Sequence, residues 1–317
     1  MENQNKKPLI VAIVGPTAVG KTSLSIELAK RLDGEIISCD SMQIYKGMDI
    51  GTAKATKEER CEVPHHLIDV LDPSCDFSCA DYQIKAREAI DSILARGKTP
   101  VFCGGTGLYL DSVLEIPSFT DTVKDDTLRS ELEAYASEHG AHALHEMLRE
   151  VDPESAEQIH ENNIKRVIRA IEIYKTSGKK KSELDALSKT KESPYDAVVF
   201  FLCARDKDAL YSRIESRVDQ MLRDGLLDEC RALYSSGVLD GKSTASGAIG
   251  YKEFIPYLTG NASLEDCIAQ LKLSTRHYAK RQITWFKKKN YHTVYVDECN
   301  PLDYALDVLR KHYERND

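Results

Sequence analysis

The octapeptide GPTAVGKT at positions 15–22 restricts this chain more than any other stretch. It fits the pattern G-x-x-x-x-G-K-[ST] at every fixed position. Gly15 and Gly20 permit a tight turn and a close approach of backbone to ligand. The loop runs from Gly15 through Pro16, Thr17, Ala18 and Val19 to Gly20, and apart from Pro16, which has no N–H, its successive backbone N–H groups turn inward on phosphate oxygens, aided by the positive end of the following helix. Lys21 adds a cation for the terminal phosphate, and Thr22 offers a hydroxyl to a magnesium ion (Mg2+). The flanks agree. Residues 9–14 (LIVAIV) form a continuous apolar run that suits a strand buried on both faces. Leu24, Leu28 and Leu32 then recur at helical spacing. Such a loop holds a nucleoside triphosphate or another diphosphate, and the loop itself does not say which.

The rest of the chain predicts an α/β fold: a P-loop NTPase-like parallel sheet flanked by helices, with an all-helical insertion. EIISCDS is the next strand, ending at Asp40, which gives a βαβ start. A helix over about 80–96 stops at RGKTP, and PVFCGGTG is a strand that meets a glycine-rich turn before a helix at LYLDSVL. Near 117 strands vanish and charged amphipathic helices take over until about 196. AVVFFLC (197–203) is again a strand. Helical segments at 206–235, 250–260 and 264–286 follow, with a late strand at HTVYVD. The expected division is a core of 1–116 and 197–317 around an insertion of 117–196.

Bulk properties exclude several classes. Apolar residues make up 42% of the 317 and charged residues 30%, as in a soluble globular protein. No run of eighteen apolar residues exists, so no membrane span is predicted. The apolar run after MENQNKKP is too short for a signal-peptide core and meets Gly15 without a cleavage site, which points to the cytoplasm. The nine cysteines include no CxxC pair. Cys61, His65 and His66 cluster in CEVPHH, but no second ligand pair follows, which disfavours a metal centre there. A net charge of −8 argues against a chain coated in nucleic acid and leaves room for a local basic surface.

Asp40 follows the second apolar strand. Ligands in open parallel sheets sit beyond the carboxyl ends of the strands, so Asp40 should share a crevice with the phosphate loop. General base, Mg2+ ligand and turn cap are all open to it on these grounds.

DSMQIYKGMDIGTAKAT (40–56), PHHLIDVLDP (64–73), FCGGTGLYLDSVL (102–114), RVIRAIEIY (166–174), RIESRVDQMLRDGLLDE (213–229), AIGYKE (248–253) and AKRQITWFKK (279–288) occur in this order. Together they resemble the signatures of the tRNA dimethylallyltransferase (tRNA isopentenyltransferase) family across nearly the whole chain. The resemblance implies transfer of a dimethylallyl group from dimethylallyl diphosphate to N6 of adenosine 37, beside the anticodon, with loss of diphosphate. The loop would then hold a prenyl diphosphate rather than ATP. Thr17 and Arg217 would contact the diphosphate, and Arg213 lies one turn before Arg217 on the same helix face. Asp40 would be the general base, with Ser41, Met42, Gln43 and Thr106 around the target nucleotide.

The same resemblance implies a tRNA surface, read on an anticodon stem-loop bearing A36-A37-A38. LKLSTRHYAKRQITWFKKK (271–289) holds seven Lys/Arg and no acid. Lys280, Arg281, Gln282 and Thr284 are the implied RNA contacts; Trp285, Tyr278 or His277 are candidates to stack on bases, and Trp285 also suits a core position. In the insertion, Ile164, Val167, Ile168 and Ile171 form an apolar stripe, leaving Lys165, Arg166 and Arg169 for RNA. Gly250 and Tyr251 are further candidates. Cys39 replaces a valine common in the family, and Gly247 a bulkier residue. Nothing in the sequence suggests an oligomer, so a monomer is expected. Two other classes compete on motif logic alone: a small-molecule kinase with ATP in the loop, and a nucleotide-gated RNA-binding module without chemistry.

Overall fold

The computed structural model describes residues 7–115, 125–189, 192–241 and 243–316. The chain divides into two compact units, Met1–Leu114 with Pro194–Asp317, and Glu115–Ser193.

The first unit starts with β1 (Leu9–Val14), α1 (Lys21–Arg31), β2 (Gly34–Cys39), α2 (Lys57–Glu62), β3 (His65–His66), α3 (Cys79–Ala95), β4 (Thr99–Gly104) and α4 (Gly107–Leu114). The second unit holds α5 (Asp126–Val151), α6 (Pro153–Gln158), α7 (Ile164–Ser177) and α8 (Lys181–Lys189). The chain then returns to the first unit with β5 (Asp196–Cys203), α9 (Lys207–Arg223), α10 (Leu226–Ser235), α11 (Ile255–Leu258), α12 (Leu264–Phe286), β6 (His292–Tyr295) and α13 (Pro301–Asn316).

The sheet has six strands in the order β3-β2-β4-β1-β5-β6, and every pairing is parallel. β1 is central, and its apolar run is buried on both faces as expected. One face packs Ile10, Ala12 and Val14 with Phe102, Phe201 and the helices α3 and α4. The other packs Val11 and Ile13 with Leu24 and Leu28 of α1 and Leu309 of α13. Parallel alignment carries the carboxyl ends of β1, β2 and β4 to one edge, and there the sequence places its phosphate loop, Asp40 and the GGTG turn.

Local signals place most breaks. Ser78 and Thr56 cap α3 and α2 with complete capping boxes closed by Asp81 and Glu59. Two expectations need correction. The helix read over 206–235 is two helices, parted at Gly225, whose φ of 102° no helix continues through. The 250–260 segment holds only short helical turns, 3₁₀ over Lys252–Phe254 followed by α11 of four residues. β3 went unread because two residues carry no usable periodicity.

In the second unit, Val167, Ile168 and Ile171 of α7 are buried against Leu132, Leu144 and Leu148 of α5. Glu172 is fully buried in side chain and is paired with Arg129 at 2.8 Å and Arg169 at 2.6 Å. Its Oε1 also accepts the Asp125 N–H at 3.0 Å. These partners hold its carboxyl below the ordinary range against the opposing effect of burial. Replacing Glu172 by Ala leaves two partly exposed guanidinium groups without their shared carboxylate. We expect Glu172→Ala to destabilise this unit by roughly 3 kcal/mol, read as faster amide exchange in α5 and α7.

Candidate active site

The loop after β1 closes over Gly15, whose φ is 147° and whose absent Cβ would lie 2.2 Å from the Leu202 carbonyl oxygen of β5. Only glycine lets the loop leave the strand so near its neighbour. Ala18 takes a left-handed φ of 65°, and Gly20 caps α1 in the same region without a side-chain hydrogen bond. No acid stands in the first turn of α1, so its N–H groups and positive end remain open to an anion. The Lys21 ammonium donates to the Pro16 carbonyl at 2.7 Å. Burial pulls the Lys21 pKa down to about 8. Val19 points away and is buried with α1.

After β2, Asp40 opens a turn. Met42 N–H donates to Asp40 Oδ1 at 2.9 Å, so the cap reading of this residue is correct as far as it goes. The same carboxylate also faces the cavity. Burial pushes it above the ordinary carboxylate range, opposed by the Met42 N–H, the Lys21 cation and Arg217. The turn is held from both sides. Ser41 N–H donates to Thr106 Oγ1 at 3.1 Å, and Thr106 N–H donates to the Cys39 carbonyl at 3.0 Å. Gln43 Oε1 accepts from Ser38 Oγ at 3.0 Å, while its Nε2 donates to the carbonyls of Thr52 and Ala53 at 3.2 and 3.3 Å.

Thr17, Ala18, Gly20, Lys21 and Thr22 share one cavity of about 660 Å³ with Asp40, Ser41, Met42 and Gln43. Arg217, Gly250, Tyr278, Arg281 and Gln282 also line it. Arg217 makes no hydrogen bond or ion pair among the described residues. Its guanidinium is half-buried, and burial depresses its pKa while Asp40 opposes that. Arg213 is exposed and does not line the cavity.

Four of the expected RNA contacts, Tyr251, Gln282, Arg169 and Gly250, make hydrogen bonds within the protein. Tyr251 is fully buried, and its hydroxyl donates to Glu229 Oε1 at 2.7 Å, so it is a core residue. Gln282 is 5% exposed and both ends of its amide are engaged inside the protein. Arg169 is drawn into the Glu172 pair. Gly250 N–H donates to Glu253 Oε2 at 3.0 Å. Lys165, Arg166, Lys280, Arg281 and Thr284 are exposed, as an RNA surface requires. Arg281 lies over the Tyr278 ring at 5.5 Å. Trp285 is core-packed, and its indole N–H donates to Asp111 Oδ2 at 3.1 Å, which removes it as a stacking platform. Among the described residues no group of three His, Cys, Asp or Glu could hold a metal, and His66 pairs with Glu35 at 2.7 Å.

Sequence reasoning assigned no role to the 49–56 segment or to Glu229. Thr52, Ala53 and Ala55 wall the cavity. Glu229 of α10 accepts the N–H groups of Asp49, Ile50 and Gly51 at 3.0–3.1 Å and so pins the segment. Lys54 is buried and donates to the Tyr45 carbonyl, Asp49 and Asp69 at 2.6–2.8 Å. The available signal was the GMDIGTAK string itself, with a lysine among small residues.

The family model IPP transferase matches residues 43–289, and the model Isopentenyl transferase matches residues 8–68. The chain is 51% identical over 304 residues to the tRNA dimethylallyltransferase of Bacillus subtilis (strain 168), covering 96% of this chain and 95% of that one. The chain belongs to the tRNA dimethylallyltransferase family. The Halalkalibacterium halodurans tRNA dimethylallyltransferase is 52% identical, with 96% of each chain covered. Among solved structures, the full-length tRNA isopentenylpyrophosphate transferase of Bacillus halodurans aligns at a TM-score of 0.72 and 46% identity, over 98% of this chain and 96% of that one. A eukaryotic dimethylallyltransferase acting on tRNA aligns at 0.83 and 31% identity, over 97% and 80%. Membership makes the chain a prenyltransferase.

The Lys21 environment sets a pH dependence. Lysine is cationic below its pKa, so the cradle of the free protein carries this charge below about 8 and loses it above. Pyrophosphate affinity, titrated calorimetrically, should therefore weaken as pH rises from 7 to 9.5. Lys21→Met should bind more weakly at pH 7 and show little of that slope.

Proposed function

We propose that this protein transfers the dimethylallyl group of dimethylallyl diphosphate to N6 of adenosine 37 in tRNA, releasing diphosphate. The observation that carries the reading is the common cavity: an anion cradle after β1 and the Asp40 carboxylate after β2, with β4 between them, and an unpaired Arg217 from α9. It acts as a monomer in the cytoplasm, where its tRNA is found.

The diphosphate lies against the loop N–H groups, Lys21 and Arg217. Cleavage of the allylic C–O bond develops negative charge on that group, and cations already in place lower the barrier. Arg217 suits the task because its planar fork meets paired phosphate oxygens. The adenine N6 lone pair is delocalised into the ring and attacks poorly. Asp40 accepts the N6 proton as the C–N bond forms, leaving a neutral secondary amine and diphosphate. A carboxyl raised by burial holds that proton more readily. Ser41, Met42 and Gln43 shape the base pocket, and Thr106 holds Ser41 in place.

Thr22 is half-buried, lines the cavity and presents a hydroxyl beside Lys21. One hydroxyl beside a diphosphate fits Mg2+ held mainly by phosphate oxygens and water. When bound, that ion neutralises charge on the leaving diphosphate.

An extruded anticodon-loop adenosine reaches N6 to the cavity at low unstacking cost. The exposed Lys280 and Arg281 of α12, and Lys165 and Arg166 of α7, contact RNA phosphates. The kinase reading requires ATP in the cradle, and ATP should not substitute for the prenyl donor.

Purified protein, labelled dimethylallyl diphosphate, Mg2+ and unmodified tRNA bearing A36-A37-A38 test the reading. Label should enter adenosine 37 alone, and any other site of incorporation would refute the assignment. Asp40→Asn should lose roughly 10²–10⁴ in kcat while keeping its RNA affinity. An unchanged rate removes Asp40 as the base, whereas lost RNA affinity makes it a binding residue. Replacing Lys280 or Arg281 by Ala should each lower the slope of log affinity against log salt by about 1; an unchanged slope removes α12 from the RNA surface.

A further inference from the structure

Gln282 lies on the basic helix α12, between Arg281 and Ile283, yet its side chain faces the other way. Its Oε1 accepts the Thr17 N–H of the phosphate loop at 3.2 Å. Its Nε2 donates to the Gly105 carbonyl at 3.0 Å. It is 5% exposed. Gly105 fits this arrangement closely, since a Cβ there would lie 1.9 Å from Gln282 Nε2 and 3.2 Å from its Cδ. The next neighbour is the Gly15 carbonyl at 3.4 Å, an ordinary contact. Three residues further along α12, Trp285 is held by Asp111, so the helix is docked here by two polar anchors. The chemistry of an amide explains the choice of glutamine. One end must accept from a loop N–H and the other must donate to a carbonyl; a carboxylate or an ammonium does only half of this.

We infer that Gln282 is a positioning residue for the diphosphate cradle, bracing the phosphate loop against the GGTG turn, and that it does not read RNA. The inference rests on the proposed function, because it assigns Gln282 to the donor end of that site. Its neighbours Lys280 and Arg281 are exposed, Arg281 also lining the cavity, so the helix offers cations to RNA while its glutamine turns to the loop. The Thr17 amide is held in place by Gln282, and the loop meets the diphosphate with its backbone already ordered. Removing the brace leaves the loop to order itself on binding, which costs donor affinity and leaves RNA affinity alone.

The test uses the full chain and two separate binding measurements, inorganic pyrophosphate by calorimetry and an anticodon stem-loop by fluorescence anisotropy. Gln282→Met removes both hydrogen bonds at similar volume. It should weaken pyrophosphate binding about tenfold, as loss of one buried hydrogen bond to the loop implies, and change stem-loop affinity by no more than about twofold. Gln282→Glu keeps an acceptor for Thr17 but loses the donor and places a negative charge beside the cradle, so it should be at least as weak for pyrophosphate. The geometry adds a suppressor test that also covers poor folding of a single variant. Gly105→Ala alone should lose pyrophosphate affinity, because its methyl displaces Gln282. In a Gln282→Ala background the same change should add no further loss. Unaltered pyrophosphate affinity in Gln282→Met, a tenfold loss confined to the stem-loop, or a Gly105→Ala penalty that persists without the glutamine side chain would each overturn the proposal. If the unaltered protein fails to bind pyrophosphate, the cradle reading itself falls and takes the inference with it.

Discussion

The site depends on a main-chain fact: three parallel strands, β2, β4 and β1, end side by side, and the turns that follow them are hydrogen-bonded to one another. Thr106 joins the β4 turn to the β2 turn in both directions, through its N–H on Cys39 and its hydroxyl under Ser41. Gln282 joins the β4 turn to the β1 loop. A carboxylate and an anion cradle on separate loops would drift independently. Here, neither moves without disturbing a buried partner. This is the geometric precondition for a donor leaving group and an acceptor proton to be handled at one centre.

Electrostatics follow from the same crowding. Lys21, Arg217 and Asp40 influence one another's ionisation. Burial works against charge on all three. The cavity is therefore a place where a bound polyanion relieves two strained cations, and where a carboxyl gains from taking up a proton.

Much of this was legible in the chain. The apolar run before Gly15 and the leucine spacing after Lys21 fixed a strand, loop and helix, because burial on both faces leaves a signature that alternation does not. Asp40 at a strand terminus announced its own location. What could not be read was orientation. Gln282 and Tyr251 sit in motifs rich in exposed polar neighbours, and residue type and spacing alone do not reveal that these side chains turn inward; for Trp285 the core position was legible from the apolar Ile283 before it. Glu229 was also invisible: its partners are the backbone N–H groups of residues 49–51, far away in the chain, and no side-chain pattern marks a carboxylate that caps a distant loop. The break at Gly225 was missed for a different reason, since the apolar spacing continues across it.

The Glu229 clamp has a further meaning. A wall fixed through main-chain hydrogens keeps its contour whatever side chains it displays. Thr52 and Ala53, which border the cavity from that wall, are thus the positions where an enzyme engineer can recarve the acceptor chamber for an unnatural nucleobase, provided the remote glutamate that props the wall is left untouched.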